Sequence, residues 1–262
     1  MNKKTIVKIL SVVLVLALGL TALWACGEKE PEVEQKDQLI MATNAAFPPY
    51  EFKEGDAFAG IDVEIAGLIA EKLGKELVIK DVEFGSIVGG VESGKFDMGM
   101  AGMTVTDERL ESVNFSTTYA TGIQVVIVAE DSPIASLDDM VADGTMKYGV
   151  QQDTTGDIYA SDTPDKGGYG SENVIRYKTG AEAVQALKAG KVNAVIIDNE
   201  PAKSFVAANE GLKILDAEWA VEDYAICVAK ENTELLEGIN GALAELEAEG
   251  KIDEIINKYI KG

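Results

Sequence analysis

The stretch Met98-Gly-Met-Ala-Gly-Met-Thr-Val-Thr-Asp-Glu-Arg109 predicts a strand, a turn and the start of a helix. The apolar run Met98 to Ala101 is the strand, and Gly102 begins the turn. Thr106 is the predicted N-cap, and two acids occupy the first helical turn, where the helix dipole favours negative charge. Free N–H groups at such a turn and the guanidinium of Arg109 can bind a carboxylate. The alternative is an ordinary turn with a surface arginine, because arginine is mostly exposed.

A second stretch has the same pattern. Glu92 to Gly102 aligns without a gap on Lys188 to Asp198: each has a helix end, Gly-Lys, an apolar residue, Asp or Asn, and an apolar strand. Gly-Lys after a helix is common, so the match could be coincidence; as an internal repeat it predicts two α/β lobes with one plan. Gly102 and Asp198 would then lie at equivalent strand ends, where open α/β sheets bind ligands. A carboxylate site facing an aspartate suits a zwitterion such as an amino acid.

The composition excludes several functional classes. The chain has 262 residues, a formal charge of −22 and no histidine. This length is enough for one large or two small domains with real cores. The negative charge disfavours nucleic acid or an anionic membrane surface as a partner. Without histidine the chain lacks a histidine-based catalytic triad, a histidine metal site and the usual general base near neutral pH.

The N-terminus has the pattern of a targeting segment. Three lysines precede an apolar run from Ile9 to Leu23, which predicts a signal peptide over residues 1–25. A retained membrane anchor is the alternative, but the run is shorter than the usual ~20-residue span. Leu23-Trp-Ala-Cys26 resembles the bacterial lipoprotein box, which implies cleavage before Cys26 and lipid on its sulfur; Trp24 is unusual there. Residues 26–37 are charged and poor in apolar side chains, and predict a flexible tether.

Two aromatic residues follow predicted strands in the first half of the chain. Prolines in Asn44 to Phe52 predict a loop after the strand Leu39 to Thr43, and this loop can present Asn44 and Phe47 to a ligand. Phe84 follows another strand, so the two rings could flank one pocket. Packing within the core or the loop is the alternative for Phe47, because aromatic residues serve both uses.

The second half of the chain has its own turn and strand. Gln151 to Gly156 is a polar turn that opens a predicted helix, with the hydroxyls of Thr154 and Thr155 at its start. Anion binding and simple capping are both compatible with threonine at this place. A later strand delivers Asp198. Cys227, in an apolar strand, is expected to be a buried structural thiol rather than a nucleophile.

Two apolar strands predict that the chain passes twice between the lobes. Gly122 to Ala129 leads into the second lobe, and Tyr224 to Ala229 leads back, since the helix-rich tail needs a sheet to cover. The alternation of strands and helices predicts mostly parallel sheet. We therefore expect a discontinuous first lobe (38–121 and 222–262), a second lobe (122–221) and a two-segment hinge, the architecture of a closing clamp.

Residues 38–262 resemble the bacterial extracytoplasmic solute-binding proteins of polar amino-acid ABC transporters, the glutamine/histidine/arginine type. The motifs that carry the resemblance are Ala42 to Phe52, Ala101 to Arg109, the turn at Thr154, and Asp198. It implies an α/β type II periplasmic-binding-protein clamp, a monomer without a cofactor, with no enzymatic activity. The implied ligand contacts are Arg109, Thr104, Thr154 and Thr155 for the carboxylate, Gly102 and Asp198 for the ammonium, and Phe47 and Phe84 around the side chain.

The chain departs from its glutamine-binding relatives at three pocket positions. Where they carry Asp, Lys and His, this chain has Asn44, Gln151 and Ile197, and many relatives have Gly at Asp153. The neutral Asn44 removes a charge that binders of basic ligands often use, so an uncharged polar side chain is slightly favoured over a basic one. Glu51, Glu83 or Asp153 facing the cleft would weaken this expectation.

The resemblance implies a receptor that is anchored outside the cytoplasm by lipid at Cys26 and hands a polar L-amino acid to an ABC permease. Two alternatives share the fold. One is a cyclohexadienyl (arogenate or prephenate) dehydratase, for which Glu200 is the candidate acid; the other is an amino-acid sensor. The sequence leaves the identity of the amino acid, the permease, the envelope type and the extent of lobe closure open.

Overall fold

Two β-sheets organise the part of the chain that the computed structural model describes, residues 37–142 and 144–260. A third sheet has three short strands. The predicted signal peptide, Cys26 and the predicted tether up to residue 36 lie outside the described residues. No helix within the described ranges is both long enough and apolar enough to cross a membrane.

The secondary-structure elements alternate as the sequence predicts. The strands are β1 (Gln38–Thr43), β2 (Ala46–Phe47), β3 (Glu51–Glu54), β4 (Ala57–Ala59), β5 (Glu76–Asp81), β6 (Met98–Gly99), β7 (Val113–Phe115), β8 (Ala120–Ala129), β9 (Tyr148–Gln151), β10 (Val174–Tyr177), β11 (Ala194–Asp198), β12 (Leu212–Ile214), β13 (Ala220–Tyr224) and β14 (Cys227–Ala229). The helices are α1 (Ile61–Lys72), α2 (Ile87–Glu92), α3 (Asp107–Ser112), α4 (Thr155–Ser161), α5 (Gly180–Lys188), α6 (Asn199–Ala208), α7 (Thr233–Ala248) and α8 (Lys251–Tyr259).

Both large sheets are mixed, whereas the alternation of strands and helices predicted mostly parallel ones. The first has the order β5-β1-β6-β14-β7, and the second has β10-β9-β11-β8-β12, with β13 also paired to β8. In each sheet the parallel strands come from that lobe's own strand–helix units. They are β5, β1 and β6 in the first sheet and β10, β9 and β11 in the second. The antiparallel partners are β14 and β8, the strands by which the chain arrives from the other lobe. Parallel neighbours in a sheet need a crossover connection, which the strand–helix units supply and the two arriving strands lack.

The chain passes between the two sheets at two places. The first passage lies between β7 and β8, and the second lies between β13 and β14. The strand predicted over Tyr224 to Ala229 is therefore wrong as a single strand: it is interrupted at Ala225 and Ile226, because Tyr224 pairs with β8 and Cys227 pairs with β6. Two α/β lobes joined by a two-segment hinge are the type II clamp. The boundaries at 121/122 and 221/222 stay predictions.

Two smaller differences occur in the first lobe. The segment predicted as a loop after β1 contains β2 and the start of β3, which pair with each other. The strand predicted over Met98 to Ala101 is assigned only to Met98 and Gly99, since its pairing with β1 ends at Ala42.

Helix α1 forms as its spacing predicts. Ile61, Ile65 and Ile69 lie on one face and are buried, and Gly74 follows the helix with φ 68. Burying one such side chain stabilises the fold by roughly 1.5–3 kcal/mol. The tail helices α7 and α8 pack against α1, and Lys258 Nζ pairs with a carboxyl oxygen of Glu64 on that helix.

The structure confirms the internal repeat. The helix ends are capped alike: Gly94 and Gly190 have φ values of 72 and 68, and the N–H groups of the following lysines each donate to a carbonyl five residues back. The next polar residues also act alike. Asp97 accepts a hydrogen bond from the N–H of Ile40 in β1, and Asn193 accepts one from the N–H of Lys147 just before β9.

Candidate functional site

A small pocket lies between the two lobes, and the space inside it that a water-sized sphere can occupy is about 10 Å³. All ten residues predicted as ligand contacts line it, and two further residues do so as well. The predicted ones are Asn44, Phe47, Phe84, Gly102, Thr104, Arg109, Gln151, Thr154, Thr155 and Asp198, and the additional ones are Glu51 and Ala101.

Arg109 is a buried cation in this cavity, contrary to the alternative of a surface arginine. Thr106 caps α3 as predicted, its hydroxyl accepting the N–H of Arg109 at 3.2 Å. The guanidinium donates from Nη1 to the carbonyl of Thr104 (2.7 Å) and from Nη2 to the carbonyl of Asp153 on the other lobe (3.1 Å). Burial lowers its pKa, and nearby Glu222 opposes this, but an arginine pKa starts so high that the group stays charged. Further N–H donors remain for a carboxylate.

Asp153, whose carbonyl accepts the hydrogen bond from Arg109, has a left-handed backbone conformation with φ 64. A left-handed backbone favours glycine, which explains the glycine that many relatives have here. Its N–H donates to Asp157 at 3.1 Å, and its carbonyl receives Arg109. The backbone carbonyl of the turn therefore meets Arg109 of the first lobe, and the Asp153 side chain lies against Gly85 of the same lobe, where an added Cβ would be 2.0 Å from its Oδ2.

Thr154 and Thr155 have different roles in the turn. Thr154 caps α4: its hydroxyl accepts the N–H of Asp157 at 3.3 Å and donates to the carbonyl of Gln151 at 2.8 Å. Its only hydroxyl hydrogen is therefore used inside the turn. The hydroxyl of Thr155 instead donates to Glu222 at 3.0 Å.

Glu222 is a buried carboxylate behind the cavity that the sequence reasoning missed. It lies on β13, and its Oε2 accepts hydrogen bonds from Thr104 (3.2 Å), Gln124 (3.0 Å) and Thr155 (3.0 Å). Thr104 belongs to the first lobe and Thr155 to the second, so one oxygen joins both lobes at the hinge. While these bonds hold, neither hydroxyl has a hydrogen left to donate to a ligand, and Thr155 Oγ1 also accepts from Gln124 Nε2 at 3.4 Å. The only sequence signal is an acid inside a predicted crossing strand.

Asp198 is a buried carboxyl group on the second lobe. It ends β11 and accepts a short hydrogen bond from the hydroxyl of Tyr224. Burial and then the neighbouring Glu222 raise the pKa of Asp198 to about 7, although the hydrogen bond from Tyr224 acts in the opposite direction. A ligand ammonium would supply the positive charge that this carboxyl lacks.

The remaining wall consists of aromatic and polar side chains. The guanidinium carbon of Arg109 lies 5.2 Å from the ring centre of Phe84. Phe47 packs against Gly102, which has φ 51 and where an added Cβ would be 3.0 Å from the Phe47 ring. Phe47 therefore both packs and lines the cavity, as the two alternatives allowed. Gln151 Nε2 donates to Asn44 Oδ1 across the cleft.

Three other acidic residues and Cys227 lie in different surroundings. Glu51 lines the cavity and is buried, whereas Glu83 is exposed and pairs with Lys178 across the lobes. Glu200 does not line the cavity and pairs with Lys203 at 2.6 Å. Cys227 is a free and buried thiol, and burial raises its pKa to about 12. No group of three His, Cys, Asp or Glu residues in the described ranges could hold a metal ion.

Known proteins resemble this chain over nearly its whole length. The arginine-binding extracellular protein ArtP of Bacillus subtilis is 33% identical over 253 residues, 95% of this chain and 96% of that protein. The structure of an ancestral arginine-binding protein bound to glutamine is 36% identical with a TM-score of 0.78, covering 87% of this chain and 99% of that one. A structure of an ancestral arginine-binding protein bound to arginine is 37% identical to this chain, with a TM-score of 0.78. It covers 86% of this chain and 99% of that one. The family model for bacterial extracellular solute-binding proteins, family 3, matches residues 39–262. The chain belongs to this family.

Proposed function

We propose that the protein binds a free polar L-amino acid between its lobes and delivers it to an ABC transporter permease. The observation that carries this proposal is the pairing of a buried cation, Arg109, and a buried carboxyl group, Asp198, on opposite lobes of one cavity. An α-carboxylate on Arg109 and an α-ammonium on Asp198 would neutralise both groups. A desolvated charge needs such a partner.

The side chain of the ligand would lie against Phe47, Phe84 and Glu51. Asn44 is neutral, which favours an uncharged side chain, and the carboxyl of Glu51 favours one that donates hydrogen bonds. An amide side chain meets both conditions. The ancestral arginine-binding protein is bound to glutamine in one structure and to arginine in the other, so both compounds belong in the first tests.

We propose a binding protein rather than an enzyme. Glu200, the candidate acid for a dehydratase, pairs with Lys203 away from the cavity lining, and the similar proteins are binding proteins by name. Turnover of arogenate or prephenate by the purified protein would contradict this. Transporter genes beside the gene would favour uptake over the sensor alternative.

We also propose that Cys26 anchors the protein to the outer face of the cell membrane by lipid, despite Trp24 in the processing box. The mass of the N-terminal peptide from bacterial membranes tests this. A lipid-modified Cys26 is expected; an unmodified cysteine, or an uncleaved N-terminus, would contradict the anchor without affecting the binding site.

A thermal-shift screen tests the binding function. The purified protein is unfolded and refolded to remove bound ligand, then heated with each of the twenty amino acids, cystine, ornithine and citrulline. A ligand that binds only the folded state adds about 2.7 kcal/mol at a hundredfold excess over Kd. One clear responder that is lost in Arg109→Ala is expected. No responder would contradict the proposal.

A further inference from the structure

Glu51 and Asp62 are two carboxyl groups in contact with each other and buried in the first lobe. Glu51 is 1% exposed and Asp62 is 0% exposed, and the two carboxyl groups lie within hydrogen-bonding reach of each other. Asp62 Oδ2 accepts the N–H of Gly102 at 2.8 Å and the hydroxyl of Tyr119 at 2.9 Å. Oε2 of Glu51 and Oδ1 of Asp62 receive no hydrogen bond from another donor among the described residues.

The surroundings of this pair are negative or neutral. The charged groups that raise the pKa of Glu51 are the carboxyls of Asp62 and Asp198. The phenols of Tyr50 and Tyr119 both interact with Glu51 and Asp62, and Tyr50 also interacts with Glu200. None of the ion pairs found in the described ranges includes Glu51 or Asp62. Two buried carboxyls in contact without a cation cannot both ionise easily, so one proton between them is the favourable state.

The proton belongs mainly to Glu51. Asp62 already accepts two hydrogen bonds, from Gly102 and Tyr119, which stabilise its charged form. Glu51 has no such donors, and burial together with Asp62 raises its pKa well above its usual value. A protonated Glu51 donates to Asp62 and keeps an oxygen for the cavity that it lines.

We propose that Glu51 and Asp62 share one proton, and that a cationic ligand side chain reaching Glu51 displaces this proton to solvent. The inference rests on the proposed amino-acid binding and adds to it how the site distinguishes a cationic side chain from an amide. A guanidinium or ammonium replaces the proton, so Glu51 becomes a carboxylate with a charged partner. An amide donates one hydrogen bond to the neutral acid and leaves the proton in place.

The exchange makes affinity for cationic ligands depend on pH. If binding releases one proton, the affinity rises about tenfold for each unit rise in pH, as long as the pair remains protonated in the free protein. An amide ligand does not have this dependence. Asp198 meets the α-ammonium of both ligands, so its titration contributes equally and cancels in the comparison.

Calorimetry of L-arginine and L-glutamine, in buffers of different ionisation enthalpy, counts the protons released. Arginine should release about one proton more than glutamine, and this difference should disappear in Glu51→Gln. Glu54→Gln, an exposed carboxyl on the same strand, is the matched control and should keep the difference. Infrared spectroscopy of the free protein gives a second readout: a protonated carboxyl band at neutral pH that Glu51→Gln removes.

Several results would overturn the exchange. They are equal proton release by the two ligands, a difference that survives in Glu51→Gln, and binding of glutamine with no binding of arginine or lysine at any pH. The last result would leave the amino-acid receptor intact. A failure of every amino acid to bind would instead overturn the proposed function itself.

Discussion

Gln151 and Asn44 hydrogen-bond to each other across the cleft, with Gln151 Nε2 donating to Asn44 Oδ1 over 2.9 Å. Asn44 also donates from Nδ2 to the carbonyl of Val82 at 2.8 Å. Both amides therefore line the cavity while they join the two lobes. A neutral contact therefore sets the polarity of this wall, at the two positions where the resemblance implies Asp and Lys in glutamine-binding relatives.

Asn44→Asp should shift selectivity toward cationic ligands. The new carboxylate adds a negative charge to the wall of a cavity that is largely shielded from solvent, where a charge interacts more strongly than in water. We expect the affinity for arginine relative to glutamine to rise roughly tenfold. Asn257→Asp, on an exposed face of α8, is the control for the added charge. An unchanged ratio in titration calorimetry would contradict the placement of Asn44 beside the ligand side chain.

Arg109→Ala should abolish high-affinity binding. The ligand carboxylate would be left desolvated without a partner, which typically costs about 2–5 kcal/mol. Arg109→Lys keeps the charge but loses the planar fork, so it should fall between the wild type and Arg109→Ala. Exposed Lys188→Ala is the control. Affinity in Arg109→Ala equal to that of the wild type would refute the carboxylate site.

Glu222→Ala should weaken the hinge. The substitution leaves two threonine hydroxyls and the amide of Gln124 without their shared acceptor. Buried donors without a partner cost about 1–3 kcal/mol each at most, so the free energy of unfolding should fall by a few kcal/mol. Glu222→Gln retains an acceptor oxygen and should lose less. Equal stability of both variants and the wild type in urea unfolding would show that the network contributes little.

Asp198→Asn should stabilise the protein at alkaline pH. The folded pKa of about 7 lies above the ordinary aspartate pKa of 3.8, so between these values the folded state binds a proton that the unfolded state does not. The free energy of unfolding therefore falls as pH rises through this window. Asparagine removes this contribution, on the order of 1–4 kcal/mol. The pKa of Asp62 is also raised, to about 6. In urea unfolding at several pH values, the free energy of unfolding of Asp198→Asn should therefore still fall with rising pH, but less steeply than that of the wild type.

Asp153→Gly should raise stability slightly. The left-handed conformation of Asp153 costs an L-residue up to about 1–2 kcal/mol, and less for Asp than for most residues. We expect a gain of up to about 1 kcal/mol. The same substitution within α8, Asp253→Gly, should instead lose about 1 kcal/mol because glycine weakens helices. Changes of the same sign at both sites would show that the strain at Asp153 is negligible.

Local features of the fold follow from the sequence. Thr106 caps its helix as expected, and Thr154 caps α4, which is one of the two alternatives that the sequence left open. The repeat also predicts that Gly102 and Asp198 meet at one cavity. These signals work because a cap or a turn involves residues three or four positions apart.

Hydrogen bonds between the lobes follow only from the tertiary structure. Thr104 and Glu222 are 118 positions apart in the chain, and Asn44 and Gln151 are 107 apart. No local pattern states which buried polar groups will meet, because the packing of two lobes decides it. The sequence by itself determined the two-lobed plan, several helix ends and ten of the twelve residues that line the cavity. The tertiary structure alone decided which of them bond to each other, and that Glu51 meets Asp62, because desolvated polar groups take the partners that packing brings within reach.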